Sequence, residues 1–147
     1  MNPGVATLAL TLMLTTSAFA ATPPKPAKPI SLDKSGSFLI DPATSEALWK
    51  ENLPARVIKL YPPNKFRFVS EVGGGFTEAK TCVVSARVMM LPVVRLPLQG
   101  QKVIYAPIKS ATAFDAQPNL SLEQCHELAK TKLKDAIQSV ASALAAS

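Results

Sequence analysis

The feature that most constrains the fold is a long amphipathic pattern in the last part of the chain. Ser121 is followed three residues later by Gln124, and this capping box is typical of a helix start. Beyond it apolar residues recur at helical spacing, which predicts a one-sided helix of about 25 residues. The apolar positions are Leu122, Cys125, Leu128, Ala129, Leu133, Ala136, Ile137, Val140 and Leu144. Such a helix needs an apolar surface to pack on.

The surface predicted for this helix is one face of a β-hairpin in the middle of the chain. Residues 65–72 and 76–91 are rich in β-branched and aromatic side chains, and the glycines at 73–75 suit a hairpin loop. If Val72 faces Phe76 across that loop, strand alternation brings one set of residues to the inner face. This set is Phe66, Phe68, Val72, Phe76, Cys82, Val84, Ala86, Val88 and Met90. Polar residues interrupt the pattern, so the hairpin tip is expected to project beyond the core; they are Ser70, Glu78 and Lys80.

Shorter elements are predicted around this hairpin. Residues 38–40 are expected to form a short strand, and Asp41 to cap a helix over 42–51 whose packed face carries Ala43, Ala47 and Leu48. Two more strands are predicted at 56–61 and 101–106, and a loop over 107–120. Together these elements predict an α+β fold. It has a mainly antiparallel sheet of four or five strands, a short N-terminal helix and a long C-terminal helix packed on one face.

The N-terminal part of the chain carries signs of export. Residues 1–20 have an apolar stretch without charged side chains and end in the small-x-small triplet Ala18-Phe19-Ala20, the layout of a cleaved secretory signal. A retained membrane anchor is the alternative, but the apolar stretch is short and rich in threonine. We predict cleavage after Ala20 and a mature chain in the periplasm or the secreted fraction. Residues 21–36, which begin with ATPPKPAKP, are predicted to form a flexible arm before a single domain over 37–147.

The two cysteines are predicted to form one structural disulfide. Cys82 falls on the inner face of the hairpin and Cys125 on the apolar side of the long helix, and export favours their oxidation. A thiol nucleophile would need a base, but the only histidine, His126, is adjacent to Cys125 and points about 100° away around the helix. A zinc site built from these residues would lack a fourth ligand and closely spaced ligand pairs. We therefore expect no metal and no other cofactor.

No motif in the chain supports catalysis. The glycines at 73–75 precede a strand, and no Lys-Ser/Thr follows them as in a phosphate-binding loop. The carboxylate pairs Glu123 with Glu127 and Glu71 with Glu78 have no predicted pocket, and no serine lies in a GxSxG context. The chain is therefore expected to act by binding and not as an enzyme.

The net charge of +6 is concentrated in residues 52–110. Strand alternation places Lys59, Arg67 and Arg87 on outward positions, so an exposed sheet face is expected to be basic. It would contact another protein or, as the alternative, an anionic small molecule, polymer or lipid headgroup, with Lys102 contributing. A merely solvated basic face is the simplest interpretation. Nucleic acid is not expected, because the chain is exported and its aromatic residues near this face, Phe66 and Phe68, turn inward.

Met89 is the second candidate contact residue. Met89 and Met90 are consecutive, so they cannot both face the core of a regular strand. Met89 either lies under the 107–120 loop or is exposed beside Val93 and Val94, where it would suit strand addition or a groove. The function predicted from the sequence is a non-catalytic module that binds another exported or envelope protein. Inhibitors, immunity proteins and accessory proteins of the envelope or of secretion belong to this class, and the mature chain has no predicted transmembrane segment.

Overall fold

The computed structural model describes residues 31–36, 38–93 and 106–147. Within these ranges one four-stranded sheet has the strand order β1-β2-β3-β4; β1 is parallel to β2, and the other neighbours are antiparallel. The predicted α+β class, with its short N-terminal and long C-terminal helices, is confirmed. The elements are β1 (Ser31–Asp33), α1 (Pro42–Asn52), α2 (Ala55–Leu60), β2 (Phe66–Phe76), β3 (Thr81–Pro92), β4 (Lys109–Pro118) and α3 (Leu122–Ala145).

The helix α3 lies across one face of the sheet and packs mainly on β3 and β4. Its capping box is formed: the Ser121 hydroxyl accepts from the Gln124 backbone N–H, and the Gln124 side chain accepts from the Ser121 N–H. The predicted apolar side is buried except for Leu122, which is exposed in the first turn of the helix. Its buried residues are Cys125, Leu128, Ala129, Leu133, Ala136, Ile137, Val140, Ala141 and Leu144.

The hairpin turn lies further along the chain than the glycines suggested, so the prediction of a tip at 73–75 is wrong. The glycines belong to β2, and the turn spans 77–80, where the Lys80 N–H donates to the Thr77 carbonyl at 3.0 Å. Val72 pairs with Ala86 instead of Phe76. The observed partner of Val72 and the predicted one are separated by an even number of residues. Each side chain therefore lies on the face of the sheet that was predicted for it.

Gly74 explains how a glycine-rich stretch continues as a strand. Its φ of +132° lies in a region that side-chain-bearing residues rarely adopt. A Cβ at this position would also collide with the backbone carbonyl of Val83 on the neighbouring strand. The glycine therefore allows a close approach of β2 to β3, not a loop.

The inner face of the sheet forms the core with α1 and α3, largely as predicted. Ser70 is also fully buried, so its assignment outside the core is wrong. Phe66 is only half-buried and Phe76 is exposed, because both lie at the ends of β2. The buried members of the predicted set are Phe68, Val72, Cys82, Val84, Ala86, Val88 and Met90.

The helix α1 begins at the predicted cap but buries another face. Asp41 accepts the Thr44 backbone N–H at 2.9 Å. Hydrogen bonds from the Thr44 hydroxyl and backbone hold the pKa of Asp41 below its usual value. The buried residues are Ser45 and Trp49. Ala43 and Ala47 are exposed and Leu48 is half-buried, because packing the large Trp49 ring on Phe68 sets the orientation of the helix.

Two segments near the N-terminus of the domain differ from their predictions. The strand predicted at 38–40 is a turn, and the strand that joins the sheet is β1, which pairs with β2. Since β1 falls inside 21–36, the last part of the range predicted as an arm belongs to the sheet. Residues 1–30, with the predicted signal and most of the arm, lie outside the described residues.

The segment predicted as a strand at 56–61 forms the helix α2 instead. Six residues are too few to separate a helical from a strand period, and the Pro54 carbonyl accepts the N–H groups of Val57 and Ile58 to start the turn. The segment 107–120, predicted to be a loop, contains β4. Its small and polar residues have low strand propensity, but pairing with the long strand β3 overrides that preference. The predicted strand at 101–106 lies, apart from Ala106, outside the described residues.

Candidate binding surface

The sheet has a second face, opposite α1 and α3, which we call the open face. It is built by alternation, because the neighbours of each core-facing residue point the other way. Pairing between the strands aligns these positions in rows, such as Glu71 with Arg87 and Arg87 with Thr112. The open face consists of Leu32, Arg67, Val69, Glu71, Val83, Ser85, Arg87, Met89, Leu91, Ser110, Thr112, Phe114 and Ala116. Val69 and Met89 are buried, and the other members are half-buried or exposed.

Arg67 and Arg87 both lie on the open face, at the positions that strand alternation predicts. Arg87 is exposed and Arg67 is half-buried. Glu71 is the direct cross-strand neighbour of Arg87, so the face carries mixed charge at this point. The arginines therefore supply directional hydrogen-bond donors more than a broad positive field.

The other predicted contact residues are not brought together with these arginines. Lys59 lies on the helix α2, which contacts α3 on the opposite side of the sheet, so its predicted outward strand position is wrong. Lys102 lies outside the described residues. Met89 is only 7% exposed and sits in the inner strand β3 between Val69 and Ser110. The alternative of an exposed methionine at a sheet edge is therefore wrong. Met89 is buried, but the segment beside it, which was expected to be a covering loop, is the strand β4.

Phe114 is the largest exposed apolar group of the open face, and the sequence prediction missed it. Its side chain is 64% exposed. It pairs with Ser85 and is therefore a diagonal neighbour of Arg87. The sequence analysis assigned Phe114 to a loop, and strand alternation predicts the face of a side chain only within a strand. Aromatic residues and arginine are both enriched in protein interfaces relative to the rest of the surface.

The predicted disulfide between Cys82 and Cys125 is confirmed. It joins β3 to α3 with a Cα–Cα distance of 5.9 Å, and both residues are fully buried. No thiol is left as a nucleophile or metal ligand. A disulfide of this kind indicates an oxidising compartment outside the cytoplasm.

His126 is half-buried beside the disulfide-bearing turn of α3. Its ring meets that of Phe38 edge-on, with 6.1 Å between the ring centroids. Among the described residues its buried Nε2 atom has no hydrogen-bond partner. The ring therefore packs as an aromatic group.

A buried polar cluster ties the N-terminal elements to the sheet. The Ser70 hydroxyl donates to Asp33 Oδ1 at 3.1 Å and accepts from Trp49 Nε1 at 3.2 Å, with the Ser45 hydroxyl 3.4 Å away. Ser45 and Ser70 are fully buried. Within the part of the chain that the structure describes, the hydroxyls of these serines have hydrogen-bond contacts only with Asp33, Trp49 and each other. The cluster is structural: it links β1, β2 and α1.

We expect Ser70→Ala to destabilise the protein by about 2 kcal/mol, because the buried Trp49 N–H and the Asp33 carboxylate each lose a hydrogen-bond partner. Urea unfolding followed by circular dichroism measures the change. Ser85→Ala is the matched control, because Ser85 is a half-buried serine on the open face. It should lower the free energy of unfolding by less than about 0.5 kcal/mol. Equal unfolding midpoints for the two variants would show that the cluster contributes little.

None of the helices within 31–36, 38–93 and 106–147 has both the length and the apolar character to cross a bilayer. Histidine, cysteine and carboxylate side chains in the same ranges do not gather in groups of three or more that could hold a metal ion. Comparisons of the chain with protein-family models, with curated proteins and with solved structures gave no significant match.

Proposed function

We propose that the chain is an exported, non-catalytic module that binds another exported or envelope protein through the open face of its sheet. The observation that carries this proposal is the exposed ring of Phe114 at the position diagonal to the exposed Arg87. Both belong to strands whose opposite side is packed into a core, so little conformational entropy is lost when a partner binds. Inhibitors, immunity proteins and accessory proteins of the envelope or of secretion are all within this class.

The arrangement of reactive groups supports binding over catalysis. Both cysteines are in the disulfide, and the two fully buried serines belong to the structural cluster. Catalysis by a nucleophile needs an adjacent base and an accessible site. The features that set the open face apart from the rest of the surface are instead those of a contact surface.

The alternative, a carrier of an anionic small molecule, polymer or lipid headgroup, has less support. It depends on several basic side chains acting together by charge. Lys59 lies on the other side of the sheet from Arg67 and Arg87, and Glu71 lies opposite Arg87. Binding that collapses on a moderate increase in salt would favour this alternative over a protein partner.

The experiment is a pull-down with the tagged full chain from envelope and secreted fractions, at low and moderate salt, with bound proteins identified by mass spectrometry. A stoichiometric protein that stays bound at moderate salt is expected. An empty result at both salt concentrations would contradict the proposal.

We expect Arg87→Glu to weaken binding of the captured partner by about thirty-fold, which corresponds to about 2 kcal/mol, because it reverses a charge at the centre of the open face. Titration calorimetry with the purified partner measures this change. The matched control is Lys59→Glu, a charge reversal on the far side of the sheet, and it should change the affinity less than twofold. Equal losses in the two variants would contradict a contact at the open face.

A further inference from the structure

The strand β4 is the edge of the sheet among the described residues, and the direction of its backbone groups can be derived. The Asn119 N–H donates to the Lys80 carbonyl at 3.1 Å. Because antiparallel hydrogen bonding alternates along a strand, the odd-numbered residues of β4 bond to β3. The backbone groups of Ser110, Thr112 and Phe114 therefore point outward, away from the sheet.

The edge is not equally open along its length. The outward N–H of Ala116 is taken by Asp115 Oδ1 at 2.8 Å. Pro118, at the next outward position, has no N–H to offer. Donors for a further strand are thus concentrated between Ser110 and Phe114, while carbonyl acceptors continue to Ala116.

A groove of about 700 Å³ runs beside this edge, between β4 and α3, and we call it the β4–α3 groove. Its apolar part is formed by Leu120 and Leu128, and its polar part is rich in carboxylates. An edge strand next to a helix is the arrangement in which an added strand places alternate side chains against the helix. The groove therefore lies where the alternate side chains of a strand added to β4 would meet α3.

The charge of the groove identifies the kind of chain that it suits. Its carboxylates are Asp115, Glu123 and Glu127, and its one basic residue, Lys132, is 3.7 Å from Asp115 and 3.2 Å from Asp135. Hydrogen bonds from the Gln117 side chain and the Ala116 N–H, with the charge of Lys132, hold the pKa of Asp115 below its usual value, so this carboxylate is ionised at neutral pH. The groove is an acidic surface on a chain whose net charge is +6.

We propose that β4 and the β4–α3 groove bind an extended basic segment of a partner protein by strand addition. The backbone of the segment pairs with the outward groups of Thr112 and Phe114, and its lysine or arginine side chains meet Glu123 and Glu127. A second copy of this chain is a poorer occupant, because two whole chains that each carry a net charge of +6 repel one another, whereas only the bound segment of another partner has to be basic. The inference rests on the proposed function only in that the partner is a protein. The groove lies on the α3 side of β4, whereas the open face contains the Thr112 and Phe114 side chains on the other side of the same strand.

The test uses the full chain and a fluorescent peptide of alternating lysine and valine, with anisotropy as the readout. Binding is expected, and methylation of alternate backbone nitrogens of the peptide should weaken it about tenfold or more, because strand pairing needs those N–H groups. A peptide of alternating glutamate and valine should bind at least about tenfold more weakly. Failure of the lysine peptide to bind, or equal binding of its methylated form, would overturn the proposal.

Variants of the chain separate the groove from other surfaces. The double variant Glu123→Gln and Glu127→Gln should weaken binding of the lysine peptide about tenfold. The control is Glu46→Gln with Glu51→Gln on α1, where Glu46 pairs with Lys50 much as Glu127 pairs with Lys130. Equal effects of the two double variants would show non-specific attraction and overturn the proposal. So would a concentration-dependent dimer in ultracentrifugation whose formation excludes the lysine peptide, since a second copy would then hold the edge.

The same peptide measurements distinguish this inference from the proposed function. Arg87→Glu should leave binding of the lysine peptide unchanged within about twofold, because Arg87 is on the open face. If the peptide binds in the groove but Arg87→Glu does not change the affinity for the captured partner, the open-face proposal is wrong and the groove proposal stands. If Arg87→Glu lowers the affinity for the captured partner but the peptide does not bind, the groove proposal is wrong and the open-face proposal stands.

Discussion

We expect reduction of the Cys82–Cys125 bond to lower the free energy of unfolding by about 4 kcal/mol, according to the chain-entropy model for a closed loop of this length. The two residues are 43 positions apart, and the bond joins the central strand β3 to α3. The loss is comparable to the whole stability of many small domains, so reduced protein should be largely unfolded at moderate urea concentrations. Trp49 is the single tryptophan and is buried against Phe68, so its fluorescence reports unfolding directly.

The double variant Cys82→Ala with Cys125→Ala separates the cross-link from packing. It removes the bond and also two buried sulfur atoms, so it should be at least as destabilised as the reduced protein. Adding reductant should shift the unfolding midpoint of the natural chain and leave that of the double variant unchanged. An unchanged midpoint of the natural chain after complete reduction, verified by intact mass, would contradict a stabilising role of the bond.

Features that depend on residue alternation were the most predictable from the sequence. The inner and outer faces of β2 and β3 were assigned correctly although the hairpin turn was misplaced, because an even shift of register leaves the face of each side chain unchanged. The long helix was predictable for the same kind of reason, since its helical period persists over many residues. Pattern length, more than the identity of any one residue, made these predictions reliable.

Short segments and long-range contacts could not be predicted in this way. The helix α2 has too few residues to show a period, and β4 is a strand only because β3 is available to pair with it. Ser70 could be recognised as a core residue only once Asp33 and Trp49 were known to lie beside it. Each of these features depends on a partner distant in sequence.

The same distinction applies to the residues of the two candidate surfaces, the open face and the β4–α3 groove. Arg67 and Arg87 were predictable because they lie on strands with a clear alternation. Phe114 and the β4–α3 groove were not, since both depend on β4 being a strand next to α3. Lys59 was assigned to the wrong side because α2 was taken for a strand.

Gly74→Ala should destabilise the protein by at least about 3 kcal/mol, the largest effect that we expect from a single methyl group in this chain. Two causes add. The residue has a φ of +132°, which an alanine adopts only with strain, and the new Cβ would collide with the Val83 carbonyl. Since that carbonyl belongs to the neighbouring strand, β2 and β3 would have to separate at this point. Urea unfolding monitored by Trp49 fluorescence measures the change.

The neighbouring glycine provides the matched control. A Cβ added at Gly73 meets no atom within 4 Å, and its φ is not positive, so Gly73→Ala should change stability by less than about 0.5 kcal/mol. If 73–75 were a flexible loop, as the sequence suggests, the two substitutions would have similar small effects. A large difference between adjacent glycines is expected only if this segment is strand and Gly74 is the point of close approach to β3. The pair of variants therefore tests the register that places Arg87 opposite Glu71, and with it the geometry of the open face.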